Sequence, residues 1–422
     1  MANVPTVNAK LPLDAPPSPR FNPRMITIAD IQLAAQRIEG KILRTPMLAC
    51  DSISRLTGAQ VWLKLDNLQA TGAFKERGAA NRLGLLTEAE RKSGVIAMSA
   101  GNHAQAVARH ASLLGIAATI VMPKFTPATK VTRTAAWGAK VVLEGESLAE
   151  SAAHAHTLAD RDHLVFIHPY DDLGVIAGQG TMALEMLQDV PDLDAIITPT
   201  GGGGLLAGCL IAATSLNPGI AVYGAEVETY AAMAQRLAGR AVSVGGATIA
   251  EGIAVRDIGE TAFELVRRRV AGVLVAPERA IEEAIALLIE GAKTVAEGAG
   301  ATGVAALLTY PERFRGKKVG IAITGGNIDA RILSNVLLRD LLRDGRLLKL
   351  HLQIPDRPGV LADIAGTIGT SGGNIIEVSH QRLFASVSVQ AAELEIMVEA
   401  RDPRHANDIV EALERTYIVR RV

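Results

Sequence analysis

Between residues 60 and 326, short apolar runs alternate with longer stretches of helical periodicity, which leaves few folds open. The runs are VWLKL (61–65), GVIAMSA (94–100), AATIVMP (117–123), AKVVLEG (139–145), DAIITPT (194–200), AVYGAEVE (221–228) and VGIAITGG (319–326). Most are apolar throughout rather than on every second residue, as strands buried on both faces require. They predict an α/β protein, with parallel sheets covered by helices such as 102–114 and 204–215. An earlier helix is predicted within Met25 to Gly40, where Ile28, Ile31, Ala35 and Ile38 share one face. In such sheets ligands bind beyond the carboxyl ends of the strands. Three of the loops there are glycine-rich or polar: SAGN, TPTGGGG and TGGN.

The pattern changes after Gly345. RLLKLHLQIP (346–355) reads as a strand, followed by a turn, a helix (360–370), strands at 374–382 and 393–400, a helix (403–415) and a last strand (417–422). That β-α-β-β-α-β order is a domain in its own right. A length of 422 residues, 49% of them hydrophobic, suits two or three domains with large cores. A formal charge of −1 gives no electrostatic footprint for nucleic acid or an anionic membrane. The 13-residue apolar run from Gly201 to Ala213 is too short to span a bilayer. Two cysteines, Cys50 and Cys209, cannot build a disulfide scaffold or a four-thiolate metal site. Residues 1–24 hold six of the 18 prolines and are expected to be a disordered arm; they lack a signal peptide's apolar stretch. A cytoplasmic enzyme is the class that remains.

Four segments carry candidate chemistry. In QATGAFKERG (69–78), a lysine follows an apolar, glycine-containing turn. Burial would make Lys75 a Schiff-base nucleophile; a surface lysine at a helix start is the alternative. TPTGGGGLLA (198–207) leaves a strand and opens a helix, so Gly201 to Gly204 offer free N–H groups to a phosphate. The same loop satisfies a loose dinucleotide fingerprint, Gly202-x-Gly204-x-x-Ala207, with Glu226 ending the next strand, so an NAD-dependent enzyme is a rival. SAGNH (99–103) could cradle a carboxylate or be an ordinary helix cap, and TGGN (324–327) could present Thr324 to a ligand or be only a turn. His154, His156 and His163 are a poor metal site, since the first two point to different helix faces.

Together, QATGAFKERGA, SAGNHAQAVA, the strand-GGGGL loop and the strand-TGGN turn resemble the fold-type II pyridoxal-phosphate enzymes, which share the tryptophan synthase β-like fold. Within that group the chain resembles the threonine dehydratases (threonine ammonia-lyases) from about residue 25 onward. The segment DRPGVLADIAGTIGTSGGNIIEVSHQR (356–382) resembles the ACT domain appended to short-form members. The resemblance implies a small domain (66–165) inserted in a large one (25–65 plus 166–345), then an ACT-like regulatory domain (346–422). Lys75 would carry pyridoxal 5'-phosphate covalently and Phe74 would pack on its ring. Asn102 would bond the phenolic oxygen, Gly201, Gly202, Gly203, Gly204 and Leu205 the phosphate, and Thr324 the pyridine nitrogen. Ser99, Ala100, Gly101, Asn102 and His103 would hold the substrate carboxylate.

The activity so implied converts L-threonine to 2-oxobutanoate and ammonia, with L-serine to pyruvate beside it. A serine-preferring dehydratase or related hydroxy-amino-acid lyase is the alternative within the class. A hydroxyl at the pyridine nitrogen discourages charge build-up on the ring and favours loss of the β-hydroxyl. Related serine racemases carry a serine where Ala100 stands; alanine transfers no proton, so racemisation should be minor. Their divalent metal site looks incomplete, with Glu226 in place but Ala232 where an aspartate is expected. Related dehydratases hold a monovalent cation there, so the resemblance allows one near Glu226. The ACT resemblance implies an amino-acid effector such as isoleucine or valine, in keeping with feedback in isoleucine biosynthesis. It would bind around Asp356, Arg357, Pro358, Gly359, Val360 and Asn374 of paired domains; a purely structural dimerisation module is the alternative. A homodimer or homotetramer is expected.

Overall fold

A computed structural model of the chain describes residues 26–381 and 391–422, so the expected N-terminal arm lies outside the described residues. Two compact units divide between Ile328 and Asp329. In the first, β1 (Met47–Ala49), β2 (Gln60–Leu65), β3 (Val95–Met98), β4 (Ala118–Met122) and β5 (Lys140–Leu143) are followed by β6 (Val165–Phe166) and β7 (Ala195–Pro199). Next come β8 (Ala221–Val227), β9 (Gly272–Ala276) and β10 (Lys318–Ile323). They make a six-stranded sheet ordered β1-β2-β10-β7-β8-β9 and a four-stranded sheet ordered β5-β4-β3-β6. Every pairing is parallel except the edge strand β1 on β2. All seven apolar runs of the sequence are strands here. The three additional strands, β1, β6 and β9, are two to five residues long.

The larger core lies where the helices Leu173–Asp189 and Gly204–Leu216 pack on each other and on the six-stranded sheet. Their backbones approach closely because Gly208 has no side chain: a Cβ there would strike the Ile176 carbonyl and the Gly180 backbone. Asp172 caps the Leu173 helix by accepting the Val175 N–H at 2.9 Å, and it also binds Arg82 Nε at 2.8 Å. Such a cap contributes on the order of 1 kcal/mol. Here it also ties that helix to the one that begins at Lys75 (Lys75–Gly84).

Beneath that helix lies a buried charge network. Arg77 meets Asp66 through Nε (2.6 Å) and Nη2 (2.8 Å), and Glu185 through Nη1 (2.7 Å) and Nη2 (2.9 Å). Lys64 Nζ completes it, bonded to Glu185 and to the Thr45 carbonyl. Two cations face two carboxylates, so no net charge is buried.

The second unit opens with the helix Ala330–Arg343, which sequence reading assigns to the catalytic region but which groups with the C-terminal strands. There follow β11 (Leu347–Pro355), the helix Val360–Thr370, β12 (Asn374–Gln381), β13 (Ala391–Glu399), the helix Pro403–Glu414 and β14 (Ile418–Arg421). The sheet is ordered β12-β13-β11-β14 and is antiparallel throughout. Leu348, Leu350, Leu352 and Ile354 alternate along β11 and bury one face of it under the helices. The turn after β11 reaches the next helix through Gly359, whose φ of +93° favours glycine. Val360 is committed to the core, and Asn374 Nδ2 donates to Glu399 Oε2 at 3.1 Å. Among the described residues, no helix is long and apolar enough to cross a membrane.

Candidate active site

Lys75 is the first residue of its helix, and the turn before it is stitched to the turn after β10. Phe74 N–H donates to the Thr324 carbonyl and Gly326 N–H to the Gly72 carbonyl, both at 2.9 Å, while Ala73 bridges Gly325. Two segments 250 residues apart therefore place Lys75, Phe74 and the buried Thr324 together. Glu76 secures the same turn: one oxygen accepts the Thr71 N–H, the other Arg109 at 2.7 Å and His110 at 3.0 Å. Burial alone would raise the Glu76 carboxyl; His110 and Arg109 outweigh it and hold the pKa low.

The half-buried Lys75 side chain donates from Nζ to the Pro169 carbonyl at 2.7 Å, with the Phe74 ring centroid 5.2 Å away. Burial pulls its pKa down to about 8, so a useful fraction of the amine is neutral near physiological pH. Among the described residues, no carboxylate pairs with it to raise the pKa again. That is the state a nucleophilic lysine needs.

Residues 167–171 frame the other side. His168 Nδ1 accepts the N–H groups of Tyr170 (3.3 Å) and Asp171 (2.8 Å), which leaves its proton on Nε2. The Tyr170 ring lies against the glycine loop, and its hydroxyl donates to the Asp257 carbonyl at 2.8 Å. A Cβ at Gly202 would strike that ring, one at Gly204 would strike the Tyr170 backbone, and Gly203 has a φ of +94°. Only glycine fits these three positions. The first N–H groups of the Gly204–Leu216 helix have no partner within the helix, so the loop presents unshielded donors to a phosphate.

Asn102 opens the helix Asn102–Leu113 at the end of β3. Its Nδ2 donates to Glu297 Oε1 at 2.7 Å, and its Oδ1 accepts Asn327 Nδ2 at 2.8 Å. Ser99 Oγ accepts the Gly101 N–H at 3.1 Å, and Ala100 packs on the core of the small sheet. His103 turns the other way: its buried ring bonds the Ile167 carbonyl through Nε2 at 2.9 Å. Burial, then the charge of Lys75, pushes its pKa down to about 3, so it is a neutral strut. Any part it plays with a carboxylate falls to its backbone, not its ring.

Sequence reading missed Glu297, Pro169 and Tyr170, none of which stands in one of its four motifs. Among the described residues, buried Thr71 Oγ1, in the Lys75 turn, has no hydrogen-bond partner. That orphan, the side-chain-free cradle and the depressed lysine fit pyridoxal phosphate. They do not fit a dinucleotide: Glu226, which would have to reach a ribose, is fully buried and accepts the Met233 (2.8 Å) and Ala234 (3.0 Å) N–H groups. Burial raises its pKa to about 8 against those bonds. Cys209 is inert, its thiol pushed up to about 12 by burial. The three histidines are not brought together; His156 stacks on Phe166 at 4.2 Å, and His163 caps its helix.

Residues 38–325 match the family model "Pyridoxal-phosphate dependent enzyme", and residues 352–416 match that of the ACT domain. The chain is 42% identical to an L-threonine ammonia-lyase of Thermotoga maritima over 398 residues, 94% of this chain and 98% of that protein. Among solved structures it is similar to the serine racemase of Dictyostelium discoideum, with a TM-score of 0.68 and 38% identity over 72% of this chain and 99% of that one. It is also similar to a threonine deaminase isoform of Solanum lycopersicum, with a TM-score of 0.70 and 32% identity over 73% and 91% of the two chains. The chain belongs to the pyridoxal-phosphate-dependent enzymes, with an ACT domain at residues 352–416.

Proposed function

We propose that the protein is an L-threonine ammonia-lyase, which dehydrates and deaminates L-threonine to 2-oxobutanoate and ammonia and acts on L-serine as a secondary substrate. The observation that carries this is Lys75: a buried amine with a pKa near 8, held between the Phe74 turn and the Pro169 carbonyl. The full-length likeness to an L-threonine ammonia-lyase supports the substrate. When bound, pyridoxal phosphate supplies an electron sink that acidifies the Cα–H of the amino acid.

The chain's own residues do the rest. Gly201 to Gly204, with Leu205, would hold the phosphate through backbone N–H groups, and Thr324 would offer a hydroxyl to the pyridine nitrogen. The turn from Ser99 to His103 holds the substrate carboxylate at a helix N-terminus. Lys75, once its amine is free, takes the Cα proton; Ala100 has no proton to return on the opposite face, so elimination prevails over racemisation. Loss of the β-hydroxyl as water, followed by hydrolysis that returns one water, releases the 2-oxo acid and ammonia.

The ACT domain fits an amino-acid effector, and isoleucine or valine is the proposed class. Asp356 to Val360 and Asn374 are the proposed contacts, in a homodimer or homotetramer acting in the cytoplasm. A 2-oxo-acid assay with threonine and serine side by side, with and without isoleucine and valine, tests the reading. Turnover of serine well above threonine would replace it with a serine dehydratase.

A further inference from the structure

The Asn102 amide sits in a directed chain of hydrogen bonds. The Thr71 carbonyl can only accept, and it takes Asn327 Nδ2 at 2.7 Å. Asn327 Nδ2 also donates to Asn102 Oδ1 at 2.8 Å, and Asn102 Nδ2 donates to Glu297 Oε1 at 2.7 Å. The Thr71 carbonyl therefore fixes the polarity, and Glu297, when ionised, can only accept and enforces the same direction. Flipping the Asn102 amide would set its oxygen against the Glu297 carboxylate and its Nδ2 against that of Asn327. Among the described residues, three of the four amide hydrogens of Asn102 and Asn327 are taken by these bonds, which leaves the second on Asn102 Nδ2.

The surrounding backbone is arranged around this contact. Glu297 caps the helix Gly298–Thr309, and its N–H is bonded to the Gly325 carbonyl at 2.9 Å. Glycine at 325 is required by the same contact, because a Cβ there would collide with Glu297 Oε1. Lys130 and Glu251, themselves an ion pair at 2.9 Å, are the charged groups that act on Glu297. Burial raises its carboxyl to about 7, against the Asn102 bond. A costly buried carboxyl spends its bond on one amide.

We propose that Glu297 is a positioning residue for the cofactor: it fixes the direction of the Asn102 amide and leaves one Nδ2–H to donate to the phenolic oxygen of pyridoxal phosphate. This rests on the reading of Asn102 as the partner of that oxygen. Glu297 itself touches neither the cofactor nor the substrate in this role.

The test uses the full chain stripped of cofactor and titrated with pyridoxal phosphate, following the visible band and protein fluorescence. Glu297→Met, which keeps length but removes the acceptor, should weaken cofactor affinity roughly tenfold, as expected for a lost hydrogen bond to a charged group. It should also shift the band in the same direction as Asn102→Ala. Glu297→Gln retains an acceptor oxygen and should restore both to within about threefold of wild type. Should Glu297→Met fail to fold by circular dichroism, Glu297→Ala carries the same expectation. Wild-type affinity and band in the Met or Ala variant, with both altered in Asn102→Ala, overturn the role of Glu297 and leave Asn102 standing. An unchanged band in Asn102→Ala removes the reading of Asn102, and the role of Glu297 with it.

Discussion

Lys75 Nζ donates to the carbonyl oxygen of Pro169 at 2.7 Å, joining the start of one helix to a segment 94 residues further along the chain. A carbonyl holds the amine in place without adding a negative charge that would favour its protonated form. The lysine therefore stays oriented and reactive at once. Burial without an ion pair is what separates Lys75 from Lys64, which is buried against Glu185.

Only a neutral amine attacks a carbonyl, so cofactor uptake by the stripped protein should accelerate as pH rises and level off above the Lys75 pKa of about 8. Stopped-flow absorbance between pH 7 and 9 checks this; a flat rate contradicts it. Lys75→Ala should yield a colourless protein without the band near about 410–420 nm typical of this cofactor class, and no turnover.

The same burial costs stability. The folded pKa lies below the usual 10.5, so the unfolded chain binds more protons between about 8 and 10.5, and stability rises with pH across that window. Below it the full penalty applies. Cofactor-free Lys75→Met should therefore melt above cofactor-free wild type at pH 7, with the gap closing toward pH 10.5. Calorimetry of the two at both pH values decides it.

Gly202→Ala should displace the Tyr170 ring and lower cofactor affinity at least about tenfold by disturbing the phosphate cradle. Gly202→Ala combined with Tyr170→Ala should recover part of that loss, because the clash partner is gone. Equilibrium dialysis of pyridoxal phosphate reads both. Equal affinity in single and double variants would show that the ring is not what constrains the loop.

Arg77→Met should cost about 3–5 kcal/mol in urea unfolding, since it leaves Asp66 and Glu185 facing Lys64 alone. Arg77→Lys should rescue little, because one ammonium cannot make the forked bonds to two carboxylates. Burial would raise the Asp66 carboxyl, but Arg77 and Thr45 outweigh it and hold it below its usual 3.8. Its contribution is present above that value and is lost as pH falls through the folded one. Acid unfolding of wild type should therefore be steeper than that of Asp66→Asn.

A chain ending at Ile328 should keep dehydratase activity and lose any response to isoleucine or valine, because the unit from Asp329 onward has its own core. Kinetics of the two chains with and without each amino acid check it. An unregulated full-length enzyme would leave the ACT domain a structural module.

The seven apolar runs were legible because a strand buried on both faces must be apolar along its whole length, a local property. Lys75 and Gly201 to Gly204 were legible as candidates for a similar reason, since a helix start and a bare loop are written in consecutive residues. Glu297 was not. Its only local trace is a carboxylate ahead of a glycine-rich helix, and its partner Asn102 lies 195 residues earlier. The ring of His103 also misled, for the sequence places it in a polar turn but cannot say which way it points. Sequence by itself determined the parallel sheets, the two kinds of unit and the loops rich enough in glycine to meet a phosphate. Only the tertiary structure decided which side chain turns inward, which amine gives up its proton more readily and which amide is held one way round. Those depend on burial and on distant partners, because desolvation and hydrogen bonding act through space and not along the chain.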